Sequence, residues 1–166
     1  KRIDYLDQGI KLLTVKVVLS PTKDKLETLA NLLGYIGEGR GILFCNFKDS
    51  IQFVSDFLQE KDIPHAIFYG GLEQQDRERA LIKFRNGTHR LLIATDLAAR
   101  GIDVPELDFI IHYQLPLKKE EFIHRNGRTA RMHNDGIAYV LKYQKEPLRD
   151  FIEATETLEL THSMPP

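Results

Sequence analysis

The sequence predicts an α/β fold in which a mainly parallel β-sheet is covered by helices on both faces. Short apolar runs alternate with amphipathic helical patterns, and turn residues separate them, as in repeated βα units. Several apolar runs lack the polar alternation of a half-exposed strand, which indicates strands buried on both faces. The length of 166 residues and the 42% hydrophobic content suit one domain with a sizeable core.

The expected strands are short runs rich in branched and aromatic residues. They cover residues 14–19, 41–46, 65–70, 90–95, 109–114 and 137–142. The first helix is expected to begin at Ser20 as N-cap with Pro21 at the first helical position, because both residue types are preferred there. Further helices are expected around the apolar stripe 51–58, over 74–87, and over 119–132 before the stop at 134–136.

Composition narrows the function classes. The formal charge of −1, from 23 basic and 24 acidic residues, excludes a protein that coats nucleic acid by bulk charge, so a polyanion needs a local patch. The single cysteine, Cys45, cannot form an internal disulfide, and a structural zinc site is not expected. The sequence has no signal-peptide pattern and no membrane-spanning run, which predicts a cytoplasmic protein, with the nucleus as the alternative. Its start at Lys1 rather than Met suggests a fragment of a longer chain.

The segment GYIGEGRG, residues 34–41, is close to a phosphate-binding Walker A loop. Its glycines have the required spacing, but Arg40 and Gly41 stand where that loop has lysine and a hydroxyl residue. The segment also leaves a helix and enters a strand, which is the reverse of a phosphate loop. We therefore interpret it as a connection, and this chain is expected to lack the primary ATP-binding loop.

The segment HRNGRTAR, residues 124–131, concentrates positive charge on an expected helix. His124, Arg128 and Arg131 fall on one helical face, whereas Arg125 has Glu121 one turn earlier and is interpreted as a surface ion pair. Arg128 has no acidic neighbour at helical spacing, and an interior Gly127 indicates a close approach by another group. Two arginines one turn apart, with no acidic partner within the expected helix, suit an oxyanion, either a phosphate or a carboxylate of another domain.

A second candidate cluster follows the strand at 90–95. Thr95 and Asp96 end that strand, where parallel sheets carry ligand sites, and Arg100, Gly101 and Asp103 follow in the connection. A hydroxyl and an arginine suit a sugar-phosphate backbone, and a carboxylate suits ribose hydroxyls. The alternative for Asp96 and Asp103 is a role as turn or cap residues.

Four segments in order resemble motifs of one family. ILFCNFKDS (42–50) resembles motif IV, GGLEQQDRERALIKFRNG (70–87) the Gln-x-x-Arg region, ATDLAARGID (94–103) motif V and HRNGRTAR motif VI. Over residues 13–158 the chain thus resembles the C-terminal RecA-like domain of DEAD-box RNA helicases, in helicase superfamily 2. The pattern departs from the usual family residues at Phe47, Tyr69, Glu73, Asn126 and Ala130.

The resemblance implies an ATP-dependent RNA helicase whose ATP, with Mg²⁺, lies between this domain and an N-terminal RecA-like domain that holds most of it. Arg128 and Arg131 would be catalytic arginine fingers on the ATP phosphates, and Asp103 would meet the ribose. The other implied roles are RNA binding and interdomain coupling. The implied RNA-binding residues are Gly70, Gly71, Arg77, Thr95 and Arg100, and the implied coupling residues are Gln74, which would support Arg77, together with His124 and Arg125.

Two alternatives remain open at the level of sequence: a DNA-directed superfamily 2 helicase, and a catalytically silent module that docks a protein regulator. Residues 1–8 are expected to be linker, 9–160 the domain and 161–166 a tail. This fragment alone is expected to be inactive, to have no membrane partner and to hold no metal. Because no stacking aromatic residues are evident at the motif positions, RNA recognition is expected to use the backbone, with little sequence preference.

Overall fold

The computed structural model describes residues 13–100, 102, 104, 107–128, 136–154 and 156–160. Within them lies one seven-stranded sheet in which every pairing is parallel, with strand order β3-β4-β2-β5-β6-β1-β7. The strands are β1 Leu13–Ser20, β2 Gly41–Cys45, β3 Ala66–Phe68, β4 Leu91–Thr95, β5 Phe109–His112, β6 Gly136–Tyr143 and β7 Glu156–Glu159.

Helices cover both faces of the sheet, as predicted. They are α1 Leu26–Ile36, α2 Lys48–Glu60, α3 Gln74–Arg85, α4 Asp96–Ala99 and α5 Lys119–Asn126. The helices α1 and α2 pack on one face, and α3, α4 and α5 contribute to the clusters on the other. Among the described residues, no helix combines the length and apolar character that a membrane span requires.

The central strand β2 shows why its sequence lacks polar alternation. All five of its residues are buried, with Leu43 and Cys45 packed into the cluster under α1 and α2. Ile42 and Phe44 point to the opposite cluster, which includes Phe84 of α3. Both faces of the strand therefore lie in the core, as expected for a parallel sheet between two helical layers. Burial also raises the pKa of the Cys45 thiol to about 12, so this cysteine stays protonated at neutral pH.

The predicted start of the first helix is wrong. Ser20 ends β1, and its hydroxyl accepts a hydrogen bond from the Thr22 backbone N–H (3.2 Å), which stabilises a local turn. The helix α1 begins only at Leu26, whose N–H donates to the Asp24 carboxylate (3.0 Å). Lys25 adopts a left-handed conformation (φ 66°) before it. Its ammonium enters the core and donates to the backbone oxygens of Tyr113 (3.0 Å) and Leu141 (2.9 Å).

Three further elements differ from expectation. The edge strand β7 was not predicted, because its sequence, ETLE, is polar and mostly exposed. The short helix α4 lies where a plain connection was expected. The helix α5 ends at Asn126, so Gly127 is its C-cap rather than an interior residue, and the close approach of another group at that glycine stays a prediction. Residues 129–135 lie outside the described part of the chain, as do the expected linker and tail.

The Walker-like segment is a connection from a helix to a strand, as predicted. Gly37 caps α1 with a positive φ of 75° and donates its N–H to the Leu33 carbonyl oxygen (3.1 Å). Arg40 donates its backbone N–H to the Asp108 carboxylate (2.8 Å) just before β2 begins. The segment therefore lies at the edge where the strands start, opposite the edge at which parallel sheets bind ligands.

We expect Gly41→Ala to lower the free energy of unfolding by about 1–3 kcal/mol, because the core has no room for the extra methyl group. A Cβ atom at Gly41 would lie 2.2 Å from the Phe109 ring. Gly34→Ala is the matched control, since its Cβ would meet nothing within 4 Å in α1, and it should stabilise the helix by up to about 1 kcal/mol. Urea denaturation of both variants tests this, and equal effects would contradict it.

Candidate functional site

The candidate site lies where the central strands end. In the parallel register Cys45 of β2 is opposite Thr95 of β4, and Phe44 is opposite His112 of β5. We call this the carboxyl edge; the residues that follow the strand ends there are Asn46, Tyr69, Asp96 and Tyr113. Motifs IV and V each contain one of these residues, and the Gln-x-x-Arg region begins directly after Tyr69. The fourth, motif VI, reaches the edge through α5.

At the centre of the carboxyl edge is Arg125, whose side chain is fully buried. Its guanidinium donates to both carboxylate oxygens of Asp96 (2.7 Å each) and to the Asn46 side-chain oxygen (2.6 Å). It also donates to the Gln114 backbone oxygen (3.1 Å) and bonds His112 Nδ1 (3.2 Å). None of these partners belongs to α5: they lie in α4, at the end of β5, and in the connections that follow β2 and β5. A buried charge needs this degree of compensation, because its lost hydration costs several kcal/mol.

The predicted surface ion pair of Arg125 with Glu121 is therefore wrong. Glu121 instead accepts a hydrogen bond from the Leu117 backbone N–H (3.0 Å) at the start of α5. Sequence spacing identified only the helical neighbour of Arg125. The stronger acceptors come from positions 11 to 79 residues away, and tertiary packing brings them together.

His112 links the Arg125 cluster to the end of α5. Its Nε2 bonds the Asn126 side-chain oxygen (2.7 Å), while Nδ1 faces the Arg125 guanidinium. Since Arg125 can only donate, Nδ1 must accept, and the proton of the neutral ring must be on Nε2. Burial and the neighbouring Arg125 charge lower the pKa of His112 to about 3. The imidazole is thus neutral at physiological pH and acts as a fixed hydrogen-bonding bridge.

Arg128 follows α5 and is held against the segment that contains motif V. Its guanidinium donates to the backbone oxygens of Ile102 (2.9 Å) and Ala99 (2.5 Å). With Arg100 and His124 it lines a cavity of about 550 Å³. Among the described residues, the ionisable lining comprises three arginines, His124 and two carboxylates, and the charges of Arg125 and its partner carboxylate cancel. This cavity therefore suits an anion better than a cation.

The structure places the other predicted residues as follows. Thr95 is the N-cap residue of α4, and Arg77 lies in the first turn of α3 with its guanidinium 4.8 Å from the Phe68 ring centroid. Gln74 donates its side-chain amide to Glu78 (3.3 Å), and its expected support of Arg77 stays a prediction. Arg100 lies in the cavity with Arg128 and His124. The predicted contacts of Gly101, Asp103 and Arg131 lie outside the described residues, and Gly70 and Gly71 follow β3.

Sequence reasoning missed three residues of the cluster: Asn46, His112 and Asn126. Asn46 donates its amide to the Leu115 oxygen (3.0 Å) and its backbone N–H to the Gln114 side chain (2.6 Å), in addition to accepting from Arg125. His112 lies within the strand predicted at 109–114. A polar residue at the buried end of an otherwise apolar strand was the available signal for it.

Comparison with known proteins agrees with this architecture. The family described as "Helicase conserved C-terminal domain" matches residues 24–133. The ATP-dependent RNA helicase eIF4A of Chaetomium globosum is 39% identical over 138 residues, which cover 83% of this chain and 34% of that protein. The chain thus spans about a third of the length of the curated relatives it matches.

Solved structures give the same result. The C-terminal domain of the DEAD-box protein Dbp5 aligns with a TM-score of 0.70 at 30% identity, over 82% of this chain and 78% of that one. Saccharomyces cerevisiae Dbp5 bound to RNA and ADP BeF3 aligns with a TM-score of 0.75 at 26% identity, over 93% and 42%. The fold is the RecA-like α/β fold, which confirms the prediction. This chain belongs to the helicase conserved C-terminal domain family and is similar to the C-terminal domains of DEAD-box RNA helicases.

We expect Arg125→Met to lower the free energy of unfolding by about 3–5 kcal/mol, because the Asp96 carboxylate loses its buried partner. Arg125→Lys should not restore stability, since an ammonium cannot reproduce the planar fork of guanidinium donors. The matched control is Arg79→Met, which removes an exposed ion pair with Asp76 and should change stability by less than about 0.5 kcal/mol. Urea denaturation measures both, and a loss at Arg125 no larger than at Arg79 would contradict the interpretation.

We also expect His112 to contribute to acid sensitivity. The unfolded chain binds a proton at His112 near pH 6.5, whereas the folded chain keeps the ring neutral down to its lowered pKa of about 3. The unfolded state therefore gains protons first, and stability falls as the pH drops between these values. Relative to His112→Gln, the wild type should lose about 2 kcal/mol between pH 7 and pH 5. Parallel pH dependences of the two proteins, measured by denaturant unfolding, would refute this.

Proposed function

We propose that this domain is the C-terminal half of an ATP-dependent RNA helicase, which supplies arginine fingers to ATP and part of an RNA-binding surface. The observation that carries the proposal is the buried Arg125 cluster, which ties the motif IV, V and VI segments into one rigid edge. A helicase needs its nucleotide and RNA half-sites to respond to each other. The cluster joins the elements that would carry both.

The nucleotide half-site is the cavity at Arg100, His124 and Arg128. Arg100 and Arg128 outnumber the one lining carboxylate that is not neutralised by Arg125, which suits the phosphate groups of ATP, and fork-shaped guanidinium donors match the phosphate oxygens. Arg128 donates to the carbonyl oxygen of Ile102, which directly precedes Asp103 in the chain. The residues proposed for phosphate and for ribose thus belong to segments that are already in contact.

ATP with Mg²⁺ would be held mainly by an N-terminal RecA-like domain, since the only glycine-rich loop resembling Walker A in this sequence is a connection at the other edge. Arg128 and Arg131 would then neutralise charge that develops on the phosphates when the two domains close, as arginine fingers do. This chain's contribution is electrostatic, and it needs no covalent or acid-base chemistry. His124 would contact the partner domain rather than transfer a proton.

The RNA half-site is proposed at Gly70, Gly71, Arg77 and Thr95, with Arg100 at the border of the two half-sites. The strand ends place Thr95 beside Cys45, one residue before Asn46, which Arg125 holds. Coupling then has a physical route: Arg125 contacts the residue next to the RNA surface and also lies three residues before Arg128. RNA binding and ATP hydrolysis by the whole protein would depend on the same closure.

The two alternatives differ from this proposal in what they bind. A DNA-directed helicase would respond to DNA as strongly as to RNA. A silent docking module would not need positive charge in the Arg128 cavity. The similarity to a Dbp5 structure that contains RNA and ADP BeF3 supports the proposed RNA helicase function over these two alternatives.

In the full-length protein, we expect Arg131→Ala to reduce RNA-stimulated ATP hydrolysis roughly 10³-fold, mainly through kcat, because an arginine finger acts in the transition state. Arg128→Ala should have a comparable effect. The control is Arg79→Ala, which removes an exposed side chain on α3 and should leave hydrolysis unchanged. Steady-state ATPase assays with single-stranded RNA and with single-stranded DNA measure all three variants.

Each outcome of that experiment decides between functions. RNA-specific stimulation that is lost in both arginine variants supports the proposal. Unchanged activity in Arg131→Ala would make that residue structural, and equal stimulation by DNA would favour the DNA-directed helicase. A wild-type protein without ATPase activity would favour the docking module.

A further inference from the structure

Neither helix capping nor core packing explains why position 47 is a phenylalanine. It is the N-cap residue of α2, with extended backbone angles (φ −134°, ψ 150°), and its side chain makes no capping hydrogen bond. Small polar residues are preferred at this position because their oxygen binds a free N–H of the first turn, and losing it costs about 1 kcal/mol. The phenyl ring is also 58% exposed, so it contributes little burial in return.

The residue after Phe47 is also of a type that is unusual at its position in the helix. Lys48 begins α2, at the positive end of the helix dipole, where acidic residues are preferred. Its ammonium lies 5.0 Å from the centroid of the Tyr69 ring, and 3.5 Å from where a Cβ atom of Gly71 would be. Lys48 therefore reaches from α2 to the segment after β3, which contains the glycines proposed to bind RNA. An anion that carries a flat ring system would be compatible with both unusual residues.

The backbone that presents Phe47 is fixed on both sides. Asn46 before it is held by Arg125, Gln114 and the Leu115 oxygen, at 2.6, 2.6 and 3.0 Å. After it, the Ser50 N–H donates to the Phe47 backbone oxygen (3.1 Å). A ring on a rigid backbone loses little conformational entropy on binding, which favours a contact residue over a passive surface residue.

The strand order places this ring beside the proposed RNA surface. The strand β4 lies between β2 and β3, so Thr95 at its end is flanked by the segment of Phe47 on one side and by that of Gly70 and Gly71 on the other. Exposed aromatic rings on such a surface stack with nucleobases, at about 1–3 kcal/mol per base.

We propose that Phe47 is a base-stacking residue for single-stranded RNA, with Lys48 beside it as a phosphate contact. The inference rests on the proposed function, because it assumes that RNA crosses the carboxyl edge. It revises the expectation that recognition uses the backbone alone: one base is held by its face, and stacking tolerates any of the four bases. Affinity would thus depend on the presence of a base at one position and little on its identity.

The chain offers a matched control in Phe53. This residue lies on α2 and is 51% exposed, but it lines a groove on the β5 side of the edge, with Lys23, Tyr113 and Arg149 among the other lining residues. Replacing either phenylalanine with leucine removes an exposed ring and keeps an apolar side chain. Both variants should fold, and thermal unfolding of each confirms this before binding is measured.

The experiment measures binding of single-stranded RNA to the full-length protein with a non-hydrolysable ATP analogue, by fluorescence anisotropy. The probes are a ten-nucleotide RNA and a series in which one nucleotide at a time is abasic. For the wild type, one abasic position should weaken binding roughly tenfold. Phe47→Leu should weaken binding to the intact RNA by a similar factor and should be insensitive to that abasic position. Phe47→Trp should retain affinity, and Phe53→Leu should behave as the wild type.

The outcomes separate this inference from the proposed function. If wild type binds RNA but Phe47→Leu keeps full affinity, or remains as sensitive to the abasic position as the wild type, the stacking role is overturned and the RNA-binding function stands. If the wild-type protein binds none of the RNAs, both the stacking role and the proposed RNA-binding function are overturned. A loss in Phe53→Leu equal to that in Phe47→Leu would also overturn the assignment, since the effect would not be specific to the surface beside Thr95, Gly70 and Gly71.

Discussion

The buried guanidinium of Arg125 is the constraint on which the carboxyl edge depends. Removing a charged group from water costs several kcal/mol, and only a full set of acceptors offsets that cost. The acceptors come from Asn46, Asp96, His112 and Gln114, which follow or end three different strands. None of these segments can shift alone without leaving a buried charge or a polar group unpaired. These strand ends are therefore held together by one shared set of polar contacts.

The Arg125 contacts provide a structural connection for the proposed coupling between the RNA and nucleotide half-sites. Arg125 bonds the Asn46 side chain, one residue before the exposed Phe47, and it lies three residues before Arg128. Through His112 and Asn126 it also fixes the end of α5, from which Arg128 extends. Under the proposed function, we expect a displacement at the RNA surface to reach Arg128 through these contacts, because breaking them would leave buried polar groups unpaired.

Most of the fold was predictable because burial leaves a clear pattern. Apolar runs predicted six of the seven strands to within about two residues, and β2 is buried on both faces as its sequence indicated. The missed strand β7 is polar and lies at the edge of the described sheet beside β1, so no apolar pattern marked it. The first helix was placed too early because Ser20 and Pro21 are good capping residues in isolation. Tertiary hydrogen bonds of Lys25 decide the real start.

For the candidate site, the sequence by itself determined which side chains are chemically unusual. Arg128 lacks an acidic neighbour at helical spacing, and four motifs stand in a recognisable order; both facts follow from local sequence. What only the tertiary structure decided is which arginine has a structural role. Arg125 looked like a surface residue because helical spacing shows only neighbours within a turn, whereas its five hydrogen bonds come from strand ends far away in sequence. Burial and long-range polar contacts are properties of the packed sheet, and local spacing carries no information about them.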